Sequence, residues 1–189
     1  MTKPEDKTII VFCGPESTGK STVSKAVSSM VGAYWVPEYA RGYVEALHRP
    51  YTYDDVLQIA QKQIDEYKRL VQSKHKIIIF DTFLIITKVW LDVVYNKVPH
   101  WITDELKKIN IDMFILCRPD IPWVPDGVRE NKDKRQELYE CYKKEIESYG
   151  FLYEEVSGEG DERVNNTIRH INHILTKSTN HDDQSYAIH

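Results

Sequence analysis

Gly14-Pro15-Glu16-Ser17-Thr18-Gly19-Lys20-Ser21 decides how this chain is read. An apolar, β-branched run precedes it, Thr8-Ile9-Ile10-Val11-Phe12-Cys13, and Val23, Ala26, Val27, Met30 and Val31 follow at helical spacing. Strand, glycine loop and helix, in that order, form the context that a phosphate-binding P-loop requires. Its two glycines let the backbone curl until successive N–H groups point inward at a polyphosphate, and the helix that begins near Lys20 adds its positive end. Lys20 is then spaced to reach the β- and γ-phosphates. Ser21 offers a hydroxyl to Mg²⁺, with Thr22 beside it. ATP or GTP is the expected ligand.

Bulk properties narrow the remaining classes. The 189 residues suit a single α/β unit with its own core. A net charge of -4 with scattered lysines and arginines argues against a polynucleotide or membrane surface. Cys13 and Cys117 sit in apolar strand-like runs, and three widely separated cysteines read as reduced thiols of a cytoplasmic protein. No uncharged stretch reaches the length of a membrane span.

Outward from the loop, apolar runs alternate with helical periodicity. Ala33-Tyr34-Trp35-Val36 reads as a short strand stopped by Pro37, which leaves Glu38 at its carboxyl end, where open α/β sheets bind ligands. Glu38 and Arg41 can both face that cleft; equally, Glu38 can be a favourable acid at a helix start. Thr52-Tyr53-Asp54-Asp55 has capping-box spacing and opens a long amphipathic helix to about Ser73. Lys76 to Phe80 is an unbroken apolar strand ending in Asp81-Thr82, so Asp81 sits where a carboxylate holds Mg²⁺ or accepts from a substrate hydroxyl, unless it or Thr82 only caps the helix that follows. Thr103 is expected to cap a short helix. A fourth strand, Ile111 to Cys117, runs into a loop with Pro119, Pro122, Trp123, Pro125 and Gly127. This loop, about residues 118–133, reads as a lid: Arg118 and Arg129 to neutralise phosphoryl charge, and Trp123 either to offer a flat face to a ring or to anchor the loop. A last strand near Phe151 to Val156 precedes Ser157-Gly158-Glu159-Gly160, read as a plain turn or as an adenine-wrapping loop with Arg163 as its stacking side chain. A helix to about Leu175 follows. The expected architecture is one P-loop domain over residues 1–176, a doubly wound parallel sheet of about five strands with helices on both faces, and a loosely ordered polar tail at 177–189.

Four segments, in order, go further: residues 14–21, Val-Pro-Glu-Tyr-Ala-Arg at 36–41, Phe-Asp-Thr at 80–82, and Pro-Trp-Val-Pro-Asp-Gly-Val-Arg at 122–129. Together they resemble the ribosylnicotinamide kinase domain of NadR-type NAD-biosynthesis proteins, over most of residues 8–176. The resemblance implies phosphorylation of the ribose 5′-hydroxyl of nicotinamide riboside by ATP with Mg²⁺. It implies an ATP site over Gly14, Glu16, Ser17, Thr18, Gly19, Lys20, Ser21 and Thr22. On the acceptor side it implies Glu38, Tyr39, Arg41, Asp81, Thr82, Trp123 and Asp126, with Lys20, Glu38, Asp81 and Arg129 as the catalytic set. Whether Glu38 or Asp81 is the base stays open at this stage.

Two features depart from the family. It commonly shows Asp-Thr-Asp where this chain has Asp81-Thr82-Phe83, so one acidic contact is absent. NadR-type proteins often carry further domains before the kinase, and this chain starts almost at the first strand, so the kinase step is the most it is expected to supply. Another nucleoside as acceptor, and a nucleotide-binding regulatory module without an acceptor, are the competing readings.

Overall fold

A computed structural model describes residues 3–4, 7–125 and 132–184, with side chains as far as residue 176. The strands are β1 (Thr8–Cys13), β2 (Tyr34–Val36), β3 (Ile77–Asp81), β4 (Met113–Cys117) and β5 (Tyr153–Val156). The helices are α1 (Lys20–Val31), α2 (Tyr39–Glu45), α3 (Tyr53–Val71), α4 (Leu84–Tyr95), α5 (His100–Lys108), α6 (Arg135–Ser148) and α7 (Gly160–Gln184). All strand pairs are parallel, in the order β2-β3-β1-β4-β5. This is the doubly wound P-loop sheet that the alternation of runs predicts.

Both faces of the sheet are covered, which explains why its central strands are apolar without alternation. In β1, Ile9, Val11 and Cys13 join the core under α3 to α6, while Ile10 and Phe12 join the core under α1 and α7. Every residue of β1 is buried. Burial pushes the thiols of Cys13 and Cys117 up to about 12 and about 11, so both stay protonated and serve as packing groups. The sheet order reverses at β1, whose neighbours are β3 and β4, and the loop after β1 therefore opens into the crevice where such sheets hold ligands. Among the described residues no helix is long and apolar enough to cross a membrane.

Boundaries differ in two places. α5 begins a turn earlier than expected, at Pro99 with its fixed φ of -65°, and Thr103 lies inside it with Oγ1 donating to the His100 carbonyl at 2.8 Å. α7 continues past Leu175 to Gln184, because no glycine or proline after Gly160 interrupts it. The capping box of α3 is present in full, Thr52 and Asp55 bonding reciprocally.

Candidate active site

The P-loop is shaped by contacts that the motif does not announce. Gly14 takes φ +139° and lies so close to the end of β4 that a Cβ on it would stand 2.6 Å from the Cys117 carbonyl oxygen. Gly19, at φ +74°, is the N-cap of α1. Two donors converge on the Pro15 carbonyl, Thr18 Oγ1 at 2.9 Å and Lys20 Nζ at 2.7 Å, and they hold the loop closed around its concave side. The first-turn N–H groups of a twelve-residue helix open onto that side, as anion binding requires.

Asp81 lies at the end of β3, 1% exposed, just under the loop. Burial, only partly opposed by a hydrogen bond from Ser21 and the charge of Lys20, raises its carboxyl to about 6. One of its oxygens, Oδ1, is buried without a hydrogen-bond partner. A hydroxyl and an under-satisfied carboxylate facing each other beside a phosphate cradle are hard oxygen donors that suit Mg²⁺. Thr82 follows at φ +72°, a strained value for a β-branched residue, and its N–H donates to the Phe12 carbonyl at 3.2 Å. Neither Asp81 nor Thr82 caps α4, whose N-cap is Phe83.

Glu16, Ser17, Thr18, Ser21 and Thr22 share one cavity of about 300 Å³ with Gly14, Gly19 and Lys20 at its phosphate end. Glu38, Arg41 and Thr82 line the same cavity further out. Glu38 is the N-cap residue of α2 but makes no side-chain cap bond; its carboxylate instead lies 3.7 Å from the Arg41 guanidinium. Glu38 thus stands at a helix start and on the cavity wall at once. The outer wall was not legible in the sequence: Tyr51 from the loop after α2, and Ile86, Trp90, Val93 and Val94 from α4. A hint lay in α4 itself, which is apolar on nearly every face, so some of that surface had to look outward. Val93 and Val94 are about half exposed.

Several expected site residues stand elsewhere. Tyr39 is not on the cavity wall; it is exposed and its ring leans toward Tyr43 at 6.0 Å. Arg163 is not free to stack on a base. It is 2% exposed, and its guanidinium donates to the Thr18 carbonyl at 2.6 Å, to the Gly158 carbonyl at 2.6 Å and to the Arg118 carbonyl at 3.3 Å, while pairing with Asp120. Arg118 does not face the phosphates, because it is held outward by Glu155. Trp123 neither enters the core nor lines the cavity; its indole N–H donates to Glu16 at 3.0 Å and so ties the loop after β4 to the P-loop. Asp126 and Arg129 lie outside the described residues. Sequence reasoning missed Arg135, which donates to the Ile121 carbonyl and the Ser17 carbonyl, each at 3.0 Å. Phe83 is 1% exposed and packs on Phe80 and Tyr67, with ring centroids at 5.1 and 5.6 Å, so the position of the family's second acid belongs here to the core.

Comparison with known proteins places this geometry. The trifunctional NAD biosynthesis/regulator protein NadR of Salmonella typhimurium is 23% identical over 133 residues, covering 67% of this chain and 32% of the relative. Its Escherichia coli counterpart is 24% identical over 131 residues with the same coverage. The chain therefore spans about a third of the length of these curated relatives. Among solved structures, NadR protein in complex with NR superposes with a TM-score of 0.70 at 24% identity, over 87% of this chain and 50% of that one. Deoxyadenosine kinase from M. mycoides with its products gives 0.62 at 19%, over 90% and 100%. A family profile described as an AAA domain matches residues 9–163, most of the chain. The chain belongs to the AAA domain family.

Proposed function

We propose that the protein is an ATP-dependent kinase of a ribosyl compound, with nicotinamide riboside as the leading acceptor and its mononucleotide as product. The observation that carries this reading is the single cavity that joins a complete P-loop to Glu38, Arg41 and an aromatic wall. It is supported by the likeness to NadR, one of whose structures holds NR. A simple ATPase has no use for the second half of that space.

In this reading the P-loop amides and Lys20 hold the β- and γ-phosphates, and Ser21 and Asp81 hold Mg²⁺, which supplies positive charge at the phosphoryl oxygens and fixes their orientation. Glu38 is the base. It faces the cavity, whereas Asp81 lies buried beneath it and against Ser21. The ribose hydroxyl oxygen bonds to the γ-phosphorus as the bond from that phosphorus to the β,γ-bridging oxygen breaks; ADP leaves, and the hydroxyl proton passes to the Glu38 carboxylate. Arg41, 3.7 Å from Glu38, holds that carboxylate toward the cavity they share.

A second reading, another nucleoside as acceptor, draws on the core position of Phe83, which removes one acidic contact of the NadR-type pattern, and on the likeness to deoxyadenosine kinase. ADP release with Mg-ATP, measured alone and with nicotinamide riboside or each common nucleoside, separates the two once product masses are checked. Stimulation by nicotinamide riboside supports the first. Stimulation by another nucleoside alone replaces it with the second, and ATP binding without acceptor-dependent turnover overturns both.

A further inference from the structure

The acceptor end of the cavity has little core behind it. α2 contributes Ala40, Arg41 and Val44 to the wall, yet it has no buried residue of its own, and Tyr51 belongs to the loop between α2 and α3. Tyr51 packs on the edge of the core, and one buried carboxylate ties its loop to both helices. Asp55, in the first turn of α3, is 1% exposed and accepts from Arg49 through both ends of the guanidinium, at 2.6 and 2.9 Å. The backbone N–H and the hydroxyl of Thr52 also donate to it, each at 2.7 Å, and the Tyr43 hydroxyl donates at 3.0 Å. Tyr43 moors α2, Thr52 fixes the start of α3, and the arginine fork closes the loop between them.

The two residues that flank Thr52 then dock on α4. Tyr51 meets Trp90 edge-on, with centroids at 4.7 Å and planes at 77°, and Tyr53 meets Tyr95 in the same way at 5.3 Å and 76°. Only the first of these pairs lines the cavity. We propose that Arg49 and Asp55 are positioning residues that set acceptor selectivity by fixing Tyr51 against Trp90, an aromatic corner suited to a flat, nitrogen-containing ring. The inference rests on the kinase reading, since selectivity has meaning only where an acceptor is bound. Arg49 itself does not line the cavity, and its side chain is half exposed, so removing it releases the loop without hollowing the core.

The test compares R49A, Y51L and the double variant with the parent, using whichever nucleoside the parent phosphorylates. Each single change raises the acceptor KM by about tenfold, leaves the ATP KM within about twofold, and the double variant is no worse than Y51L, because both act through one side chain. R49K, with one donor group in place of a fork, recovers part of the loss. Equal rises in both KM values, an unchanged acceptor KM, or a multiplicative double variant overturns the proposal. Deuterium uptake by residues 46–53 of the ligand-free protein provides a readout that needs no turnover. Faster uptake in R49A is expected, and unchanged uptake overturns the clamp even if no acceptor is found. A parent protein without acceptor-dependent turnover refutes the kinase reading alone.

Discussion

Arg163 donates from Nη1 to the carbonyl oxygen of Thr18 at 2.6 Å, so a residue of α7 holds the phosphate loop from behind. The same side chain ties in the end of β4 and the turn before α7. Arg163→Met keeps much of the volume and deletes the donors, leaving several acceptors without their partner. We expect a loss of about 3 kcal/mol in urea unfolding and weaker ATP binding. Arg163→Lys should recover part of it. Parent-like stability in the Met variant would show that the loop stands without this brace.

Gly14→Ala tests the contact at the front of the loop. A methyl group 2.6 Å from the Cys117 carbonyl, on a backbone at φ +139°, forces the loop away from β4. The expected cost is about 2–3 kcal/mol, with a marked fall in nucleotide affinity measured by titration calorimetry. An alanine variant that binds ATP like the parent contradicts the close approach.

Asp81 should make the nucleotide-free protein's stability depend on pH in a particular direction. Its carboxyl is raised from 3.8 to about 6, so the folded chain holds that proton more tightly than the unfolded one. Stability therefore falls as pH rises through this window and levels off above it. Asp81→Asn removes the effect: it should exceed the parent by up to about 3 kcal/mol at neutral pH and match it below the ordinary carboxylate range. A difference between the two proteins that stays constant with pH rules out the raised pKa.

Lys20→Ala and Glu38→Gln separate binding from transfer. Lys20 reaches into the loop, and its loss should remove both tight ATP binding and turnover. Glu38→Gln should leave ATP affinity within about threefold and slow transfer by about 10²–10⁴, the usual contribution of a positioned base. Full activity in the lysine variant would refute the P-loop assignment.

What could be read beforehand follows from the range of the interactions. β1, the P-loop and α1 are contiguous, so their pattern and glycine spacing specify them locally, and Asp81 follows from its place at a strand end. Tyr51 was opaque because its role arises from Trp90, 39 positions away and on another element. Arg163 and Arg135 misled or escaped for the same reason: an arginine carries no local sign of whether it meets a ligand or the protein's own carbonyl groups. Phe83 is the sharpest instance. Replacing it with aspartate to restore a family-like acid looks, from sequence, like a gain of function. In the fold it buries a carboxylate beside Phe80 and Tyr67, and the expected result is a loss of about 3–4 kcal/mol in thermal or urea unfolding with no gain in turnover.

The brace from Arg163 also sets an order of events during synthesis. An emerging chain has its whole phosphate motif in hand once Thr22 is made, but the side chain that steadies this loop is translated about 140 residues later. Nucleotide capture therefore waits for α7, and a nascent chain stalled in α6 carries the binding motif without the side chain that braces it.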